Sequence, residues 1–222
     1  MNLAQYFDVH TKTPPVDLDD QAGYGLLTTM MQAEREGAMS HLEVIGTCIL
    51  LAIAGNETTT KLIGNLAYHL WKNPDQRHLL LDNPALLPKA VEEVLRLDGS
   101  SQIIGRILSR DVEIRGKTLK AGSRVGLCII SANRDPEKFA NPDKFDIARG
   151  TRDHMAFGFG LHSCLGAALA RMEIRVVFEE VLKRIPHYEI EEAGLRLAHN
   201  PNVRGFTHVP TRFDVPDLRT AA

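Results

Sequence analysis

Cys164 is the residue of this chain best placed to do chemistry. It sits in Phe157-Gly158-Phe159-Gly160-Leu161-His162-Ser163-Cys164-Leu165-Gly166, between a Pro- and Asp-rich stretch and a long apolar-patterned segment. Glycines at this spacing predict a tight turn that presents one sulfur at the start of a helix. There the positive end of the helix dipole and unpaired backbone N–H groups favour thiolate. Gly160 and Gly166 would let the backbone run close to something flat, and Phe157 is expected to cover the back of the sulfur. Read alone, the same residues also fit a structural cysteine at a helix start.

Three further groups stand out. Ala54-Gly55-Asn56-Glu57-Thr58-Thr59 places small residues, a carboxylate and two hydroxyls in mid-helix, where Gly, Asn and Thr are expected to weaken helical bonding. Glu93 and Arg96, three apart, share one helix face. As an exposed pair they would contribute under about 1 kcal/mol. Arg106 stands in Gly105-Arg106-Ile107-Leu108, a strand-like run.

The elements that must position these groups follow from periodicity and punctuation. Residues 1–23 show no strong period and read as a loose N-terminal arm, followed by a short helix over about 25–36. Ser40-His41-Leu42-Glu43 is a capping box that opens a helix over 40–72, about 50 Å long at 1.5 Å per residue. Asn73-Pro74 and Asn83-Pro84 are N-cap and first-turn signals for two more helices, 74–81 and 84–97. Short Ile-, Val- and Leu-rich strands with Arg115-Gly116 and Ala121-Gly122 turns fill 102–130. A helix with apolar residues at close to a 3.6 period covers 165–185, and strands are expected within 187–213.

Composition narrows the classes. The chain has 222 residues and a formal net charge of −2, so no electrostatic case exists for a nucleic acid or an anionic membrane. Three cysteines, Cys48, Cys128 and Cys164, argue against a disulfide scaffold and for a reducing compartment. The longest apolar run, Val44 to Gly55, is about 12 residues, too short to span a bilayer. A cytoplasmic protein is expected.

With these residues in view, Phe-x-x-Gly-x-x-x-Cys-x-Gly resembles the haem-thiolate loop of the cytochromes P450, in their soluble bacterial form. The resemblance implies a mainly α fold with a minor β portion (α+β). It implies that residues 24–222 form the C-terminal half of a P450 domain: distal helix 40–72, Glu-x-x-Arg helix 84–97, small sheet 102–130, meander 132–150, haem loop 157–166, proximal helix 165–185 and C-terminal strands 187–213. Cys164 is then the axial iron ligand, whose thiolate favours O–O cleavage as in other members. Phe157, Gly158, Gly160 and Gly166 shape the haem loop, and Ala54 and Gly55 leave room above the haem. Thr58 is implied to hydrogen-bond bound oxygen and Glu57 to feed protons from solvent. Arg106 and His162 are implied to hold haem propionates. Glu93 and Arg96 form the family's structural pair.

In many members an Arg that completes this triad stands where Pro142-Asp143-Lys144-Phe145 has Lys144. Lys cannot copy the planar fork, so either the contact weakens or Arg149 substitutes. Ile103, Ile104 and Val203 are implied to face a small hydrophobic substrate. The implied cofactor is haem b, with O2 as co-substrate and electrons from NAD(P)H through a ferredoxin or flavodoxin-type donor; Arg149, Arg152, Arg171 and Arg175 would either receive that donor or form a solvated face. The implied activity is monooxygenation. The alternative is a non-catalytic haem-binding fragment or sensor, or a half active only with a complementary chain. Only the C-terminal half of the fold is implied, so exposed apolar faces and weak haem retention are expected.

Overall fold

The computed structural model describes residues 2–12 and 25–214. They belong to two compact units, Met1–Glu57 and Thr58–Ala222, and the long helix α3 (His41–Lys72) contributes to both.

In the first unit, α1 (Leu3–Lys12) lies within the stretch expected to be a loose arm. The expected arm's residues 13–23 lie outside the described residues. Helix α2 (Leu26–Arg35) matches the short helix expected over 25–36. Met30, Val44 and Cys48 form a small core with Phe7, Leu27 and Met39. The capping box at the start of α3 is formed: Ser40 N–H donates to Glu43 Oε2 at 2.8 Å, and Glu43 N–H to Ser40 Oγ at 3.3 Å. His41 joins three helices, one ring nitrogen 2.9 Å from Asp8 of α1 and the other 2.9 Å from Glu34 of α2.

The backbone of α3 stays helical through Ala54–Thr59, against the expected weakening. Side-chain propensity is a weak prior, and continuous backbone bonding overrides it here. By length and composition, α3 is the one helix among the described residues long and apolar enough to cross a membrane. The 12-residue apolar run noted in sequence lies within this helix, and it is the helix's whole length and composition, which core helices of soluble proteins also have, that meet the criterion.

In the second unit, α4 (Pro74–Asp82) begins at the expected place, whereas the helix expected from 84 opens as a 3-10 turn (Pro84–Leu86) and α5 itself runs Leu87–Asp98. The Asn residues ahead of them make no side-chain cap; Asn73 instead donates its amide to the His69 carbonyl at 2.8 Å. Helix α5 is the centre of the unit, buried from Ala90 to Asp98. Its Val91, Val94 and Leu95 pack with Leu62, Leu66 and Leu70 of α3 and with Ile174 and Phe178 of α7 (Ala167–Arg184).

The β structure is four separate two-stranded antiparallel sheets rather than one. β1 (Ile103–Ile107) pairs with β4 (Arg124–Cys128), setting Arg106 opposite Val125. β2 (Val112–Ile114) pairs with β3 (Lys117–Leu119). Residues expected to extend β4 turn into a short helix, α6 (Ile129–Ala132). Near the C-terminus β5 (Glu189–Ile190) pairs with β8 (Thr211–Arg212), and β6 (Arg196–Leu197) with β7 (Phe206–His208). Val203, expected to start a strand, makes only an isolated bridge to Ser101.

Candidate functional site

Two layers of buried polar side chains are built on α5. The first is Glu93 and Arg96, both fully buried. Arg96 makes a two-pronged bond to Glu93, at 2.8 and 2.9 Å, and its remaining N–H groups go to the carbonyls of Asn133, Pro142 and Lys144. A guanidinium fork suits this because it offers five donors in one plane. The exposed-pair reading of Glu93 and Arg96 is thereby excluded. Arg149 completes the triad: its Nε lies 3.2 Å from Glu93 Oε1, and its other nitrogens bond the carbonyls of Ala140 and Asn141. Lys144 supplies only its carbonyl, so the substitution by Arg149 is the outcome.

The second layer was not foreseen. Glu92, 5% exposed, accepts a bidentate pair from Arg171 of α7 at 2.6 and 3.0 Å and a bond from His154 Nε2 at 3.0 Å. The Ala156 N–H donates to His154 Nδ1, which leaves the ring proton on Nε2, pointed at Glu92. Burial alone would raise the Glu92 carboxyl, but the bonds from His154 and Arg171 outweigh it and hold it near 2. No local pattern in sequence marks this layer, since His154 and Arg171 lie 62 and 79 residues from Glu92.

This layer grips the loop through Phe157. The Arg171 guanidinium lies over the Phe157 ring, 4.5 Å from its centre, and the His154 ring stands 6.4 Å away, tilted by 51°. Phe157 packs against the core, and its carbonyl accepts the Cys164 N–H at 2.8 Å. The turn also closes through Gly158 N–H to the Met155 carbonyl and Ser163 N–H to the Gly160 carbonyl. Gly158 and Gly160 have φ of 72° and 71°, a left-handed conformation that favours glycine. Gly166 differs: its φ is −85°, and a Cβ there would sit 4.0 Å from the sulfur. Cys164 is exposed. It stands three residues before α7 begins, because Leu165 and Gly166 form a turn rather than the expected first residues of the helix.

Around the sulfur in sequence, Phe159, Leu161 and Leu165 are exposed apolar side chains. The exposed row continues along α7 as Leu169, Met172 and Val176. His162 is exposed on the 3-10 turn of the loop. Arg106 is half-buried on β1, its one hydrogen bond going to the neighbouring Gly105 carbonyl, with no carboxylate partner among the described residues. An accessible thiol, exposed apolar side chains, a glycine backbone and cationic or ionisable groups suit a flat, apolar, iron-bearing group with anionic edges.

The structure thus gathers Phe157, Gly158, Gly160, His162, Cys164 and Gly166 into one loop, and places Ile103, Ile104 and Arg106 on β1. Ala54, Gly55 and Glu57 belong to the first unit and Thr58 to the second, all on α3 and Glu57 exposed. The expected basic surface is smaller than four arginines. Arg149 and Arg171 are tied inward to Glu93 and Glu92, leaving Arg152 and Arg175 mainly exposed.

The family model described as cytochrome P450 matches residues 78–213. The biotin biosynthesis cytochrome P450 of Bacillus subtilis (strain 168) is 38% identical over 85% of this chain and 48% of its own length. The 20-oxo-5-O-mycaminosyltylactone 23-monooxygenase of Streptomyces fradiae is 39% identical over 87% of this chain and 46% of its own. Among solved structures, the tirandamycin C-bound P450 monooxygenase TamI superposes with a TM-score of 0.88 at 34% identity, over 96% of this chain and 53% of that one. P450BioI, in complex with an acyl carrier protein ligated to hexadec-9Z-enoic acid, gives 0.83 at 34%, over 96% and 52%. The chain spans about half the length of the curated relatives it matches.

Proposed function

The chain belongs to the cytochrome P450 family, and on that premise we propose that it is the haem-binding, oxygen-handling part of a monooxygenase acting on a small hydrophobic molecule. The observation that carries this reading is the Cys164 loop: an accessible sulfur on a glycine turn, flanked by exposed apolar residues and braced by the Glu92 layer. It is preferred to a non-catalytic haem sensor because α3 carries Glu57 and Thr58, which a sensor does not need.

Haem b, when bound, supplies the redox chemistry that consumes O2, two electrons and two protons, placing one oxygen in the substrate and releasing the other as water. Cys164 binds the iron through its sulfur. Arg106 and His162 hold the propionates, Arg106 as a fixed fork on a strand. Phe157, Gly158 and Gly160 hold the turn in shape, with Gly166 beside the sulfur. By the family resemblance, Ala54 and Gly55 are the small residues that leave room for oxygen and substrate. Glu57, exposed on α3, takes protons from solvent, and the Thr58 hydroxyl passes them inward. Ile103, Ile104 and Val203 orient an apolar substrate and exclude water from it. The hexadec-9Z-enoic acid carried by the acyl carrier protein in the P450BioI complex agrees with an apolar substrate class.

Electrons come from NAD(P)H through a ferredoxin or flavodoxin-type donor, with Arg152 and Arg175 as the exposed cations that meet it. The protein works in the cytoplasm, without a membrane or nucleic-acid partner. The test is the optical spectrum of the haem-reconstituted chain, reduced and exposed to carbon monoxide. A strongly red-shifted Soret band, lost in Cys164→Ser, is expected. A band typical of a neutral ligand in the unaltered chain would defeat the assignment.

A further inference from the structure

Residues 198–205, which join β6 to β7, have no regular structure, so individual bonds set their path. The Arg204 N–H donates to the Ser100 carbonyl at 2.8 Å, and the Gln102 N–H to the Asn202 carbonyl at 2.9 Å. Val203 bridges to Ser101. These bonds lace the segment to residues 100–102, just ahead of Ile103. They leave open what holds both strands of that lacing to the helices.

One side chain answers this. Arg204 Nε donates to Asp98 Oδ1 at 2.8 Å. Asp98 ends α5 and is 4% exposed. Its other carboxylate oxygen is 3.1 Å from His69 Nε2 of α3, and its carbonyl accepts the Asn65 amide at 2.7 Å. The anchor is therefore fixed by two helices before Arg204 reaches it. Burial acts to raise the Asp98 carboxyl, but His69 and Arg204 outweigh it and keep it ionised at neutral pH. The next residue, Gly205, is buried with φ of 153°, and a Cβ there would collide with the Lys61 side chain of α3. The segment is thus clamped at 204 and pressed to α3 at 205. Arg204 and Ile103 also line one cavity of about 270 Å3, together with Gln102, Ile130 and Leu197.

We propose that Asp98 and Arg204 are positioning residues for substrate selection: their ion pair fixes residues 198–205 against residues 100–103 and so sets the shape of the apolar wall carrying Ile103 and Val203. This rests on the reading above that those two side chains face the substrate. The clamp acts through the wall and touches no reacting atom.

The test uses the full chain, unaltered and as Arg204→Ala and Arg204→Lys. Amide hydrogen exchange and calorimetric binding of linear alcohols of increasing chain length are measured on each. Arg204→Ala should speed exchange at Gln102 and Val203 by on the order of tenfold, the scale of one lost charge-assisted bond. It should leave α5 and α7 amides unchanged and flatten the preference for chain length. Arg204→Lys, which keeps a cation for Asp98, should restore part of both. Exchange that rises equally everywhere, or does not rise at 198–205, overturns the clamp. A length preference that Arg204→Ala leaves intact overturns the inference alone. No length preference in the unaltered chain overturns the substrate-facing reading and this inference with it.

Discussion

Around Glu93 and Arg96, every N–H of the guanidinium and both carboxylate oxygens have a protein partner, and neither side chain is exposed. Around Cys164, fewer than eighty residues further on and in the same unit, the apolar side chains of Phe159, Leu161 and Leu165 face outward, and the turn is held by backbone bonds. The first region spends its polar groups on its own fold. The second keeps reactive and apolar surface accessible and borrows its rigidity from the Glu92 layer. Stability and chemistry are therefore carried by different residues, and substitutions should separate them.

The largest effect is expected at Arg96. Arg96→Ala leaves Glu93 buried with only Arg149 for charge, takes the guanidinium donor from the carbonyls of Asn133 and Pro142, and leaves that of Lys144 only Arg149 at 3.5 Å. A loss of about 3–5 kcal/mol is expected, measured by urea unfolding followed by circular dichroism. A loss under about 1 kcal/mol would mean that the meander does not depend on this centre.

Acid should act on the Glu92 layer. The folded Glu92 carboxyl is held near 2, against an ordinary 4.5. An unfolded chain takes up that proton at higher pH than the folded one. The stabilising contribution is therefore complete above about 4.5 and lost as pH falls from there through about 2. The urea midpoint should drop over that window, and less steeply in Glu92→Gln, whose stability at neutral pH is already lower. Equal slopes in the two proteins would show that other carboxylates, such as Asp98, dominate acid unfolding.

Arg149 offers a finer division. Arg149→Ala should cost about 1.5–3 kcal/mol, the range for hydrogen bonds to a charged group, whereas Lys144→Ala should fall within about 0.5 kcal/mol because only its carbonyl is used. The contrast checks which residue completes the triad. Sequence left this question open, since both positions lie in the meander and only the path of the chain decides which one reaches Glu93.

That case shows what was legible in the chain and why. The Cys164 loop could be read because its pattern is local: a left-handed backbone at Gly158 and Gly160 selects glycine directly. The α3 capping box and the start of α4 were legible for the same reason. Glu92 was not, because its partners lie 62 and 79 residues away, and a glutamate beside the recognised Glu93 carries no mark of either. The Asp98 anchor was hidden likewise, 106 residues from Arg204. Strand ends failed where irregular lacing replaces a ladder, as between Ser101 and Val203. Propensity misled at Ala54–Thr59, where a long helix carries unfavourable residues without breaking.

A stability effect as small as that of Lys144→Ala should fall on the residue with the largest functional one. Cys164 is exposed, and its side chain makes no hydrogen bond among the described residues; the turn it closes is bonded through its backbone N–H, which any residue supplies. Cys164→Ser should therefore shift unfolding by no more than about 0.5 kcal/mol, while removing the red-shifted carbon monoxide band of the reconstituted chain. The pair of measurements is sharper than either alone. Retention of the band in Cys164→Ser would exclude this sulfur as the iron ligand. A loss of stability comparable to Arg96→Ala would show that the loop is part of the folding centre, and the division between the two regions would not stand.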